Sequence, residues 1–325
     1  MKKILSLILL SVSTLTILTG CSINNNKVET KNINVVIPDG ITAIASAKLI
    51  EEDKEILKGY DVDYSIESSP ENIVSSVLKK EADIAIVPSN VAATQYNKDA
   101  GYVIAGTIGW GSFYLVSTDG EKDINKLLNK EVYNIGKGLT PDLTVRSLLK
   151  DNNIDADKDV NFSYVNGVTE LAPLVLSGKV KYAVMPEPAI SQVMKKNNNV
   201  AIISDLNEEW KKTNDSEYGY PQSTLIIKKE LVEEDKEFVN KFIEDMEESC
   251  EFAASKNEKL PDYSEEIGVS TDKAVVLEAM DRANIRYTPI KDCYKEYEIY
   301  FNKLDELDPK TIGGKVPDEG IFMEK

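Results

Sequence analysis

Histidine is absent from all 325 residues. This removes the commonest metal ligand and the commonest general base. Cysteine is almost absent: Cys21, Cys250 and Cys293 are the only three, with no CxxC pair and no metal-ligand spacing. No metal and no cofactor is expected. Basic side chains are in deficit. Without Lys2 and Lys3, 36 basic side chains face 55 acidic ones, which excludes nucleic acid and anionic lipid surfaces as electrostatic partners. The surplus of acid reads as solubility. Beyond residue 20 no apolar run is long enough to span a bilayer.

The first residues carry an address. Lys2 and Lys3 precede a mostly apolar stretch, Ile4 to Leu18, of the length of a signal-peptide core and short for a membrane span. It ends in Leu18-Thr19-Gly20-Cys21, which matches the bacterial lipobox. Residues 1–20 are therefore expected to be removed and Cys21 to carry diacylglycerol. Residues 21–32, polar and Asn-rich, read as a lipidated flexible tether.

From Ile33 onward, strand-like and helix-like segments alternate, the pattern of a parallel sheet covered by helices. The pattern repeats. Shifted by 98 positions, Val35–Val91 aligns without a gap on Tyr133–Ala189, with twelve identities in 57 pairs against roughly four expected by chance. Gly40/Gly138, Thr42/Thr140 and Pro88/Pro186 are among them. The expected fold is α/β and two-lobed. Each lobe is a mainly parallel sheet flanked by helices. Residues 33–116 with 221–325 form the first lobe and 117–220 the second. Phe113–Thr118 and Pro221–Lys229 read as two crossings, hence a hinge and a cleft. Leu231–Lys256, Thr271–Ala283 and Cys293–Leu304 read as extra C-terminal helices packed on the first lobe. Tyr294, Tyr297, Tyr300 and Phe301 form an aromatic stripe read as core. Cys250 and Cys293 are either a disulfide or two buried thiols.

Ligands of parallel α/β sheets bind beyond the carboxyl ends of the strands. The repeat points to those turns. Asp39, Gly40, Ile41 and Thr42 follow the first strand, and Gly138, Leu139, Thr140 and Pro141 its counterpart. The glycines permit tight turns. Thr42 and Thr140 are expected as N-caps with Pro141 first in its helix, leaving backbone N–H groups for a carboxylate or sulfonate. Ser89 and Asn90 offer hydrogen bonds after the third strand, and Glu187, in the equivalent loop, could receive an amine or hydroxyl. Trp110, Gly111, Ser112 and Phe113 lie at the first crossing, where Trp110 is either a flat ligand-facing surface or core. Tyr218, Tyr220 and Gln222 bracket the second. Arg146 reads as a surface residue.

With lipobox, tether, the PDG turn, VPSNVAA, GKGLTPD and YAVMPEP in view, the chain resembles the substrate-binding lipoproteins of bacterial ABC importers. The resemblance is to their nitrate/sulfonate/taurine and thiamine-pyrimidine-precursor group, and runs from Cys21 to about Lys229. It implies a type II periplasmic-binding fold that closes by a hinge on a small organic molecule. It further implies permease and ATPase partners, an extracytoplasmic position and no enzymatic activity. A monomer is expected. Pyrimidine binders of this group use a histidine that this chain lacks. Two other readings stand beside transport. One is an enzyme on the same fold, with Asp39, Glu187 or Asp142 as acid or base. The other is a surface receptor or adhesin.

Overall fold

A computed structural model describes residues 30–52 and 55–324. The leader, Cys21 and nearly all of the tether lie outside the described residues. Strand β1, Lys31–Pro38, takes up Lys31 and Asn32, which the sequence reading had placed in the tether. It is followed by β2 (Tyr60–Glu67), β3 (Ile84–Pro88) and β4 (Tyr102–Trp110). Five more strands come next: β5 (Phe113–Ser117), β6 (Glu131–Ile135), β7 (Asn161–Val165), β8 (Tyr182–Pro186) and β9 (Ala201–Asp205). The last two are β10 (Pro221–Lys228) and β11 (Ile285–Pro289).

These strands form two sheets, one in the order β11-β4-β10-β3-β1-β2 and the other β7-β6-β8-β5-β9. Each sheet receives one reversed strand from the crossings. β5 inserts antiparallel between β8 and β9, and β10 inserts antiparallel between β3 and β4. Because β5 already belongs to the second sheet, the first crossing falls ahead of Phe113 rather than after Val116.

The duplication is real, with one correction. Val36 lies between Ser65 and Ala85, while Tyr133 lies between Ser163 and Ala183. Tyr133 thus holds the place of Val36, 97 positions on, whereas Ser163 and Ala183 stand 98 positions beyond their counterparts. The gapless alignment therefore hides one extra residue between β6 and β7. A side-chain period of two makes that single step decisive, since it turns every side chain of a strand to the other face.

Eight helices cover the repeat: α1 (Ile41–Ala45), α2 (Ala47–Glu52), α3 (Pro70–Leu78), α4 (Ser89–Tyr96), α5 (Thr140–Asp151), α6 (Val168–Leu176), α7 (Ala189–Lys196) and α8 (Leu206–Asn214). With helices on both faces, β4 is buried at all nine positions, the continuous apolar run of an interior strand. β2, at the sheet's edge, alternates in exposure instead.

Five helices follow: α9 (Lys229–Glu234), α10 (Lys236–Ala254), α11 (Leu260–Glu266), α12 (Val276–Ala279) and α13 (Ile290–Leu307). α10 buries Phe238, Phe242, Met246 and Cys250, spaced to share one helix face, against β11, α1 and α2. Each such large apolar side chain contributes roughly 1.5–3 kcal/mol on leaving water. α13 packs on β4, with Tyr297 hydrogen-bonded to Thr107 and Phe301 buried beside it. The C-terminal helices thus lie mainly on the first lobe, as expected. The Thr271–Ala283 helix shrinks to a 3₁₀ turn, Lys273–Val275, and the one turn of α12. Among the described residues no helix is long and apolar enough to cross a membrane.

Cys250 and Cys293 are free and buried. Burial pushes the Cys293 thiol up to about 12 and the Cys250 thiol higher still. Only the thiolate is a nucleophile. Both cysteines should stay silent toward a disulfide reagent at pH 8 in the native protein and react together once denaturant is added. Rapid native reaction of either one would contradict this packing.

Candidate functional site

The sheets present their carboxyl edges to each other. A side chain at Gly40, in the turn after β1, would meet Pro188 of the second lobe at 3.9 Å. Thr140, at the start of α5, places its Oγ1 3.5 Å from Asn90 Oδ1, at the start of α4. Tyr300 of α13 donates to the same Thr140 oxygen at 3.2 Å. Asn90 is oriented from behind: its Nδ2 donates to the Thr311 carbonyl at 3.4 Å, which Thr94 Oγ1 also reaches at 3.2 Å. The N-termini of α4 and α5 therefore converge from opposite lobes. Both carry the positive end of a helix dipole.

The threonines are not caps. Gly40 and Leu139 hold the cap positions, without side-chain hydrogen bonds. Thr42 Oγ1 turns back to the Pro38 carbonyl at 2.6 Å, and Thr140 is already helical, so Pro141 follows the first helical residue rather than being it. Gly40 at φ +96° and Gly138 at φ +73° occupy the left-handed region, as their turns require. Asp39 accepts from the N–H groups of Gly40 at 2.7 Å and Ser270 at 3.1 Å. Asp142 is buried and accepts from the Gly138 N–H at 2.9 Å, Arg146 Nε at 2.8 Å and the Tyr164 hydroxyl at 2.7 Å. Arg146, read from sequence as surface, is a half-buried brace whose Nη1 also reaches Asp157 at 2.7 Å. Ile41 is buried in the first lobe's core and Leu139 is half-buried.

Several expected ligand groups are occupied elsewhere. Ser89 is fully buried, with Oγ 2.6 Å from both the Pro221 carbonyl and Thr224 Oγ1. From there a chain of hydroxyls runs through Tyr297 to Thr107, each step 2.8 Å. It ties α4, β10, α13 and β4 together beneath the site. Trp110 is core: its indole N–H reaches Thr288 Oγ1 at 3.3 Å and its ring packs on Tyr218, centroids 5.0 Å apart. Phe113 is buried in the core shared by both lobes. Ser112 and Gln222 bind each other: Gln222 Oε1 accepts from the Ser112 N–H at 2.8 Å and its Nε2 donates to Ser112 Oγ at 2.9 Å. They clamp one crossing to the other. Gly111 lies against Tyr220 so closely that a Cβ would sit 2.4 Å from that ring.

Glu187 is fully buried at its side chain and accepts from Arg282 Nε at 2.6 Å and Ser191 Oγ at 3.1 Å. Burial pushes its carboxyl above the usual range, with Arg282 and then Ser191 pulling it part of the way back. Arg282 and Thr311 were missed by the sequence reading, while Tyr300, read as core, is core and also reaches Thr140.

A cavity of about 710 Å³ opens beside Gly138, between α5 and the chain after α13, with Arg146, Leu307 and Thr311 in its wall. Another, of about 810 Å³, lies along β11 between α10 and α13 and touches none of the matched turns. The smaller one includes Gly138 of a matched turn and Thr311, whose carbonyl accepts from Asn90, but neither Asn90 nor Thr140 lines it.

A model of the family described as NMT1/THI5 like matches residues 56–259. No curated protein matches the chain significantly. Among solved structures, an ABC transporter from Parabacteroides distasonis superposes with a TM-score of 0.78 at 26% identity, covering 91% of this chain and 99% of that one. The periplasmic aliphatic sulphonate binding protein SsuA from Escherichia coli gives 0.71 at 12% identity, with 89% and 92% covered. The ligand binding component of an ABC-type import system from Staphylococcus aureus gives 0.71 at 13%, with 91% and 97% covered. The last two are likenesses of fold.

Proposed function

We propose a transport role for this chain, which belongs to the NMT1/THI5-like family: it is the extracytoplasmic solute-binding component of an ABC importer. It captures a small organic molecule between its lobes, closes on it and hands it to a membrane permease. One observation carries this reading. Two helix N-termini, one from each copy of a duplicated half, meet at Asn90 and Thr140 across two crossings that can serve as a hinge. Nothing in that contact requires a bond to be made or broken in the ligand.

Converging helix N-termini favour an anionic group, and the half-buried walls admit a small organic body. A sulfonate- or carboxylate-like solute is the class that fits. The Escherichia coli neighbour is a periplasmic aliphatic sulphonate binding protein, and a Xanthomonas axonopodis neighbour is an alkanesulfonate-binding protein bound to MOPS. The contacts we assign to the ligand are the Asp39–Thr42 turn, Asn90 and the Gly138–Pro141 turn. Residues up to Gly111 together with those from Pro221 onward make one lobe, and Ser112 to Tyr220 the other. The protein works as a monomer held at the outer face of the membrane by lipid on Cys21.

A thermal-shift screen across sulfonates, carboxylates, nitrate, amino acids and pyrimidines tests this directly. A ligand specific to the native state, at a hundred times its Kd, adds about 2.7 kcal/mol and raises the melting temperature visibly. A chain that none of these solutes stabilises, but that turns one of them over, is an enzyme and not a carrier.

A further inference from the structure

Glu187 and Arg282 lie on different lobes. Glu187 follows β8 in the second sheet; Arg282 sits on the segment between α12 and β11, at the edge of the first. The stretch from the 3₁₀ turn at Lys273–Val275 to β11 touches the second lobe twice more. Tyr114 of β5 donates to the Arg282 carbonyl at 2.8 Å, and Lys195 of α7 donates to the Ala274 carbonyl at 2.9 Å. Arg282 also reaches Ser191 Oγ at 2.5 Å through Nη2. Residues 274–282 thus clasp the β8–α7 turn of the opposite lobe.

The two charges are not equivalent. The Glu187 side chain has no exposure, whereas that of Arg282 keeps 26%. A carboxylate removed from water without a cation is costly, and breaking a buried pair by removing one partner is far worse than replacing both. Opening the hinge would carry Arg282 away and return water to the turn that bears Glu187. Closing reverses both events at once.

We infer that Arg282 is the residue that licenses closure: the lobes shut, and stay shut, only in the arrangement that delivers its guanidinium to Glu187. The inference rests on the hinge reading above and deepens it. It also gives Glu187 a different task from the ligand contact expected of it. Glu187 rejects any closure that fails to bring Arg282 into place.

The asymmetry supplies the test. Spin labels, one on each lobe, read the closed-to-open ratio of the ligand-free protein by distance. Arg282→Gln strands a buried carboxylate, and the ratio should fall at least about tenfold. Adding Glu187→Gln to that variant removes the stranded charge and should restore most of the ratio, which a merely structural role for Arg282 would not produce. Ser191→Ala keeps the ion pair and should lower the ratio less than Arg282→Gln does. The inference is overturned if Arg282→Gln keeps the wild-type ratio, if the double variant stays as open as the single one, or if the wild type has no closed population. Failure of the transport reading is a separate result: no solute of the thermal-shift screen binds.

Discussion

Alanine at Gly219 is expected to destabilise the protein by about 3–5 kcal/mol. Gly219 sits just ahead of the second crossing at φ +103°, a conformation that costs a residue with a Cβ about 1–3 kcal/mol. Space makes matters worse. The added Cβ would lie 1.8 Å from Asn207 Oδ1 and 2.4 Å from its Cγ. Asn207 cannot move away freely. It is buried, with Nδ2 donating to the Tyr218 carbonyl and Oδ1 accepting from the Tyr220 N–H, both at 3.1 Å. Overpacking of this kind adds typically 1–3 kcal/mol. Gly178→Ala is the matched control, because Gly178 also has positive φ, +69°, but open space around it. It should cost only the backbone part, about 1–2 kcal/mol. Denaturant melts of the two variants decide the matter: equal losses would mean that Asn207 does not pin the crossing.

The same residues show what a sequence can reveal. Buried strands announce themselves: the IAIVP of β3 and the YVIAGTIGW of β4 could hardly be anything but interior, and the repeat located the turns that meet. The one-residue slip in β6 escaped notice because Gly40/Gly138 and Thr42/Thr140 keep the 98-residue spacing in the turn while the strand before it does not. Only backbone pairing fixes register, and pairing is a three-dimensional fact. β11 was missed for a related reason. Its partner, β4, is some 180 residues away, with Ile285 beside Gly109, and NIRYTP has no strong alternation. Ser89 was read as a ligand group, and Trp110 as either a ligand face or core, because their positions suited that role. The groups that absorb them, Thr224 and Thr288, are distant in sequence.

Arg282 did leave a trace. Arginine occurs only at positions 146, 282 and 286 among 38 basic side chains. In a lysine-rich chain an arginine marks a place where a rigid, permanently charged fork is wanted. Two of the three turn out to hold buried acids, Arg146 on Asp142 and Arg282 on Glu187. Scarcity was the available signal, and reading Arg146 as a surface residue overlooked it.

The second large effect is expected at Asp142. Its two oxygens gather three donors: Oδ2 takes the Gly138 N–H, and Oδ1 takes Arg146 and Tyr164. Alanine there leaves the Gly138 amide without its acceptor and strips Arg146 of its inner partner. Loss of a buried partner costs 3–5 kcal/mol when the remaining charge is uncompensated. Arg146 keeps Asp157 and 20% exposure, so about 2–4 kcal/mol is the expected loss. Asp157→Ala removes only a carboxylate that is 81% exposed and should cost under about 1 kcal/mol. Binding should suffer with stability. The Gly138 turn leads into the helix N-terminus assigned to the ligand, and a loosened turn should weaken capture about tenfold or more even at temperatures where the variant is folded. Asn at the same position separates transport from catalysis. If Asp142 moved protons, Asp142→Asn would abolish turnover and leave both the melt and the affinity near wild type. If it braces the turn, Asp142→Asn must lose stability and affinity together, since its amide would point a donor at a neighbour that is itself a donor.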